Sequence, residues 1–220
     1  AVVTLNRPEA MNALTLDMAL ALHSRFEDWA RDDNVAAVVV RGAGERAFCA
    51  GGDIRALYDA HRTGGALTRE FFQAEYRLNR LIFHFSKPVI ALIDGVAMGG
   101  GVGLSVHART RIASERTLFA MPETGIGLFP DVGGSYFLPR LPGAIGLYMA
   151  LTGARLRAAD CLYAGIADAF IASARHDEFV AAIRAGFIDV VASDAFVADM
   201  KSRGYEVGLL AGEDLQKNVE

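Results

Sequence analysis

Two carboxylates stand in a run that gives them no basic partner. Residues 121–134 read MPETGIGLFPDVGG and hold Glu123 and Asp131 among apolar, glycine and proline residues, with no Lys or Arg between or beside them. An apolar frame excludes water and raises a carboxylate's pKa, and a second acid nearby raises it further. Such a pair can divide its duties: one carboxylate attacks a carbonyl or deprotonates a water, while the other orients a polar group and passes protons. The plainer reading of Asp131 is a helix cap just after Pro130.

Two glycine-rich stretches form a second group of candidates: AFCAGGDI at 47–54 and AMGGGVG at 97–103. Each is read as a turn between a strand and a helix. Glycine there permits unusual backbone angles and close approach to peptide N–H groups, and the helix start adds unpaired donors. Two such turns meeting would form an oxyanion hole. The rival chemistries fit poorly: GGGVG lacks the spacing of a dinucleotide fingerprint, and no GK[ST] marks a phosphate-binding loop. The bland alternative makes both clusters tight turns, with Asp53 acting only as a cap.

Other catalytic patterns are missing from the sequence. His23, His61, His84, His107 and His176 show no metal-binding spacing, so no metal site is expected, and His107 reads as structural. No G-x-S-x-G elbow supports a serine hydrolase. Cys49 and Cys161 have no CxxC spacing, which argues against a disulfide scaffold and suits a reducing compartment. Cys49 reads as a small core residue.

The elements that must position these groups alternate. Residues 2–5 and 35–40 are β-branched runs, and the segment between them places Leu16, Leu20, Leu22, Phe26 and Trp29 near helical spacing. A second helix is expected over 69–85, followed by a buried strand in KPVIALIDG; the glycine helix, a small strand in RIAS and the extended TLFAMPE come next. Beyond Pro142 the pattern turns helical, with segments ending on Gly153 and Gly165, a short strand in IADAFI and a helix in DEFVAAIRAGF. The class is α/β. From about residue 193 the periodicity is weak.

The 220 residues, 52% hydrophobic and 22% charged, suffice for a substantial core. A net charge of −4 without a basic run argues against a nucleic-acid surface. The apolar runs are too short to span a bilayer and the start lacks a signal-peptide pattern, so neither membrane nor nucleic acid is expected as a partner. The chain opens directly in the strand-like AVVTL, which suggests a preceding segment.

In order, LNRPEAMNAL at 5–14, FCAGGDI at 48–54, KPVIALIDGVAMGGGVGL at 87–104 and MPETGIGLFPDVGGSYFLPRL at 121–141 resemble the crotonase, or enoyl-CoA hydratase/isomerase, superfamily. The resemblance implies a spiral of ββα units over residues 1–175, a helical C-terminal part over 176–220, an acyl-CoA substrate, and a trimer or dimer of trimers. It implies that the Gly52 and Gly100 N–H groups hold the thioester oxygen, and that Ala50, Gly51, Asp53 and Ile54 line the path of the CoA moiety. Hydratases of this superfamily place glutamates at the positions of residues 103 and 123, and here residue 103 is glycine. The run AMGGGVGLSVH, the second acid at 131 and EYRLN at 75–79 are more similar to the 3-hydroxyisobutyryl-CoA hydrolase branch. That implies thioester hydrolysis by Glu123 and Asp131, with Glu75 binding substrate and CoA as part of the substrate rather than a cofactor. Without the resemblance, Glu75 reads equally well as a solvated helix residue beside Arg77 or Asn79. The alternatives are a hydratase or isomerase working with Glu123 alone, and a non-catalytic acyl-CoA-binding module. The expected location is intracellular: cytoplasmic in a bacterium, the mitochondrial matrix in a eukaryote. Little of the family's further C-terminal part is recognisable after residue 186, so an incomplete chain is expected.

Overall fold

The computed structural model describes residues 1–192, so the expected C-terminal segment lies partly outside the described residues. The chain begins with strand β1 (Val2–Leu5), a 3-10 turn (Pro8–Ala10) and helix α1 (Leu16–Arg31). Three strand pairs follow: β2 (Val38–Gly42) with β3 (Ala47–Cys49), β4 (Val89–Ile93) with β5 (Val96–Met98), and β6 (Thr110–Ala113) with β7 (Leu118–Ala120). Helices α2 (Ile54–Arg62) and α3 (Leu67–Phe83) follow the first pair, and α4 (Gly100–Ser105) follows the second. After the third pair come a 3-10 turn (Glu123–Ile126), α5 (Gly134–Phe137) and α6 (Ile145–Thr152). Strand β8 (Leu156–Arg157), α7 (Ala158–Tyr163), β9 (Ala169–Phe170) and α8 (His176–Ala192) complete the described chain.

The first strand of each pair joins a parallel sheet ordered β1-β2-β4-β6-β9, and the second joins a sheet ordered β3-β5-β7-β8. Each round of chain adds one strand to each sheet and a helix or helical turn outside them, which is the ββα spiral. Val38, Val39 and Val40 are all buried, as befits a parallel strand covered on both faces. The chain divides into one compact unit, Ala1–Ala174, and a second beginning at Arg175. In the second, α8 opens with Asp177 and Glu178 in its first turn, where acids favour a helix start.

Helix α1 is capped by Thr15, whose side chain accepts from the Met18 N–H at 3.2 Å. It buries Ala19 and Phe26, and the Phe26 ring meets Phe85 edge-on at 5.0 Å. Helix α3 buries Phe71, Ala74, Glu75, Leu78, Asn79 and Ile82, one stripe at helical spacing that contains two polar residues.

Some boundaries differ from the sequence pattern. Strand β2 starts at Val38, leaving Val35 ahead of it, and α3 starts two residues before the expected 69 and stops two before 85. Strand β5, short and flanked by Gly95 and Gly99, carries no local signal. Parallel pairing with β3 on one side and β7 on the other makes it a strand.

A buried polar side chain fixes the first glycine turn. Asn12 is fully buried and follows Met11 in the left-handed region, with φ of 55° and 52° respectively. Its Oδ1 accepts from Arg7 N at 2.9 Å, and its Nδ2 donates to the carbonyls of Ala43 at 2.9 Å and Ala47 at 2.8 Å. The same loop receives the Ala50 N–H on Met11 O and gives the Leu14 N–H to Gly51 O. Asn12→Ala orphans three backbone groups and places alanine at an unfavourable φ. We expect a loss of about 2–4 kcal/mol in unfolding free energy, measured by urea denaturation.

Candidate active site

Strands β3 and β5 run parallel, with Ala47 opposite Val96 and Cys49 opposite Ala97, so both glycine turns leave the same sheet edge side by side. Gly51 has φ of 106°, and a β-carbon there would lie 3.1 Å from Met98 O and 3.5 Å from Gly100 N. The turns are in contact through backbone, which only glycine allows. Gly100 is the first residue of α4, so its N–H has no partner within that helix. Gly52 lies against the Phe71 ring, with space for a β-carbon only 2.9 Å from two ring carbons.

Two glutamates face the second turn. The place of a β-carbon on Gly100 is occupied by Glu75 Oε1, and the corresponding place on Gly99 lies 3.2 Å from Glu123 Oε1. Glu75 is 2% exposed and Glu123 6%, and Glu75 Oε1 and both Glu123 oxygens lack a hydrogen-bond partner among the described residues. Glu75 is therefore no solvated helix residue paired with Arg77 or Asn79. It points inward because 75 falls on the buried stripe of α3. Burial, then Asp131 and Glu123 in turn, pushes its pKa up to about 8; burial, then Asp131, pushes Glu123 to about 7.

Asp131 is buried too, and the structure corrects its reading as a cap. Helix α5 starts three residues later, is entered through Gly133, and takes no side-chain cap. The Asp131 carboxylate instead accepts from the Tyr76 hydroxyl at 2.6 Å, while its backbone carbonyl takes the Gly134 N–H. Burial raises its pKa, and the Tyr76 bond works against that rise. Val132, next to it, is β-branched with φ of 43°, a strain of about 1–3 kcal/mol. The His107 Nε2–H donates to the Val132 carbonyl at 2.8 Å and holds this bend; the histidine is structural, as read from the sequence.

Asp53 does cap α2, accepting from Ala56 N at 3.1 Å, and it pairs with Arg7 at 2.8 Å. These two partners hold its pKa below the usual range. Ala50 and Ile54 flank the first turn, Ala50 half-buried and Ile54 exposed. Cys49 is sealed in the core, its thiol pushed up to about 12 by burial. Among the described residues no cluster of His, Cys, Asp and Glu could hold a metal, and no helix is long and apolar enough to cross a membrane.

Sequence reasoning missed Tyr76 and Asn79. Both come from α3, and both border, with Phe83, His107, Asp131 and Val132, a cavity of about 410 Å³. Asn79 is 5% exposed and stands against Gly103, where a β-carbon would lie 2.7 Å from its Oδ1 and 2.9 Å from Val132 Cβ. The available signal was periodicity: Asn79 follows Glu75 by four residues on the apolar stripe.

A spiral of strand pairs with two glycine turns meeting under buried carboxylates can be compared with known proteins as a whole. The family model for enoyl-CoA hydratase/isomerase matches residues 1–206. The chain belongs to that family. It is 56% identical over 172 residues to the 3-hydroxyisobutyryl-CoA hydrolase, mitochondrial, of Danio rerio, and 52% over 172 residues to that of Homo sapiens. Each match covers 78% of this chain and 45% of the relative, so the chain spans about half the length of these relatives. Among solved structures it is similar to an enoyl-CoA hydratase from Rhodobacter sphaeroides 2.4.1, with TM-score 0.81 and 45% identity, covering 84% of this chain and 55% of that one. A carnitinyl-CoA dehydratase from Mycobacterium thermoresistibile gives 0.79 and 41%, covering 98% and 61%.

The raised carboxyls make stability depend on pH. Folded Glu75 and Glu123 keep protons that an unfolded chain loses near 4.5, so folding takes up protons between about pH 4.5 and 8 and stability falls as pH rises through that window. Glu75→Gln removes its share of that loss, in which each tenfold change in proton affinity is worth about 1.4 kcal/mol at most. Thermal unfolding should show the variant's advantage over the parent growing from pH 5 to pH 9. A pH-independent gap would contradict a raised Glu75.

Proposed function

We propose that the full protein hydrolyses the thioester of a short 3-hydroxyacyl-CoA, of the 3-hydroxyisobutyryl-CoA type, to the free acid and CoA. The observation that carries this is Glu123: buried, without a hydrogen-bond partner for either oxygen, and set against the second glycine turn while position 103 is closed to a second glutamate. Addition of water to an enoyl double bond with two glutamates has no room here. The names of the relatives support hydrolysis, and their location suggests the mitochondrial matrix if the source is a eukaryote.

In this reading the Gly52 and Gly100 N–H groups receive the thioester oxygen, on which negative charge grows as the carbonyl carbon becomes tetrahedral. Glu123 supplies the nucleophile, as its own carboxylate or as a water that it deprotonates. A pKa near 7 keeps it poised as a base at neutral pH. The C–S bond then breaks and CoA leaves as a thiolate that takes up a proton; where Glu123 itself attacked, a water then cleaves the resulting anhydride, giving the free acid and restoring the carboxylate. Glu75, with its pKa near 8, is predominantly a neutral acid at pH 7 and donates a hydrogen bond beside the oxyanion. Asp131, steadied by Tyr76, receives the substrate hydroxyl and relays protons. Residues 50–54 line the path of the CoA moiety, and three or six copies form the assembly.

Full-length protein should release CoA from 3-hydroxyisobutyryl-CoA, and Glu123→Gln should lower kcat by about a thousandfold or more, a loss typical of removing the reacting group. Absorbance change of crotonyl-CoA without CoA release would instead favour a hydratase or isomerase. Tyr76→Phe removes the bond that lowers the Asp131 pKa. It should move the acid limb of the pH–rate profile to higher pH and cost about tenfold in kcat, as expected for one charge-assisted hydrogen bond. An unmoved limb would place Asp131 outside proton transfer.

A further inference from the structure

The Asn79 carboxamide is a buried polar group that neither the fold nor the proposed chemistry uses. Neither Oδ1 nor Nδ2 has a hydrogen-bond partner among the described residues, although the side chain is 5% exposed. Buried amides are nearly always satisfied, so an orphan of this kind marks a place where another molecule completes the pairing. Its surroundings are specific. Glu75 lies one turn before it on α3, Gly103 of α4 faces it, and Val132, the neighbour of Asp131, closes the far side. The amide fills the space that any side chain at 103 would need, with a β-carbon there 2.7 Å from Oδ1 and 2.8 Å from Nδ2.

We propose that Asn79 is the specificity-determining residue for the substrate's 3-hydroxyl, an inference that rests on the hydrolase reading of the same site. A hydroxyl carries one donor and two acceptor positions; with its O–H given to Asp131, its oxygen still accepts from the Asn79 Nδ2–H, so the two residues recognise opposite sides of the same group. The placement suits this substituent. Gly100, which receives the carbonyl oxygen, and Gly103 are three residues apart on α4, about 4.5 Å along a helix axis. A hydroxyl two carbons beyond the carbonyl spans a distance of that order. An acyl group without the hydroxyl leaves the Asn79 Nδ2 donor unpaired, and the site rejects it for that reason rather than by size.

The test uses full-length protein and two thioesters that differ only in the hydroxyl, 3-hydroxyisobutyryl-CoA and isobutyryl-CoA. Binding is measured in the Glu123→Gln background, where turnover is blocked, and kcat/KM with Glu123 intact. Asn79→Leu should weaken binding and kcat/KM for the hydroxylated thioester by about 10- to 100-fold, the effect of one or two lost buried hydrogen bonds, and change the other less than about threefold. Asn79→Ala, a smaller change at the same position, should give the same selective loss even if Asn79→Leu does not fold. Equal losses on both thioesters, or discrimination retained in both variants, would overturn the proposal. Hydroxyl-dependent binding that Asn79→Leu abolishes, in a parent that releases no CoA, would sink the hydrolase reading and leave Asn79 standing; CoA release with discrimination unchanged in the variants would do the reverse.

Discussion

Three carboxyl groups, Glu75, Glu123 and Asp131, share a space from which most water is excluded, and the hydrogen bond from Tyr76 to Asp131 is the single side-chain donor bond any of them receives among the described residues. Ionising all three there would set like charges against one another in a medium that screens them weakly. The site therefore holds protons at neutral pH, most firmly on Glu75. This sets three similar side chains apart: Glu75 is pushed up to about 8, Glu123 to about 7, and the rise at Asp131 is opposed by its bond from Tyr76.

The fold maintains that arrangement from three directions. Parallel pairing of β3 and β5 brings the two glycine turns into contact, and Asn12 locks the first of them from behind. Helix α3 contributes Tyr76 from its partly exposed side and Glu75 and Asn79 from the stripe that anchors Phe71, Leu78 and Ile82 in the core, so these two cannot turn toward solvent without uncovering the apolar ones. The bend at Val132 costs backbone strain and is held by His107 on its carbonyl and by Tyr76 on the adjacent carboxylate. Strain at such a point is tolerated where neighbours over-determine it.

Most of this was legible in the sequence where chemistry and spacing coincide. Both glycine turns, the isolated acids at 123 and 131, and the alternation of strand and helix declared themselves by residue type, and Asp53 caps its helix as its position suggests. Strand β5 did not, because three residues between glycines become a strand only when two neighbours pair with them. The Asp131 cap failed for a related reason: a cap is a local bond, and a hydroxyl 55 residues away offered a better one. Glu75 stayed ambiguous on residue type alone, since glutamate is a good helix former on either face. Asn79 went unread although the stripe 71, 74, 75, 78, 79, 82 contains it, because a polar residue is ordinarily assigned to the solvent side before its phase is considered.

Glycine at 103 and asparagine at 79 act together. A glutamate at 103 would add a fourth carboxyl to a space already protonating one of three, and each further acid would raise the pKa of the others until the reacting base was lost at neutral pH. A neutral carboxamide keeps donors and acceptors in that position without the charge. On the same reading it leaves the Glu123 pKa near 7 and keeps a polar group within reach of a 3-substituent. On the hydrolase reading, this one helix contact sets both how many carboxyls share the site and which substituent it can pair with, and so directs water to the carbonyl rather than to a double bond.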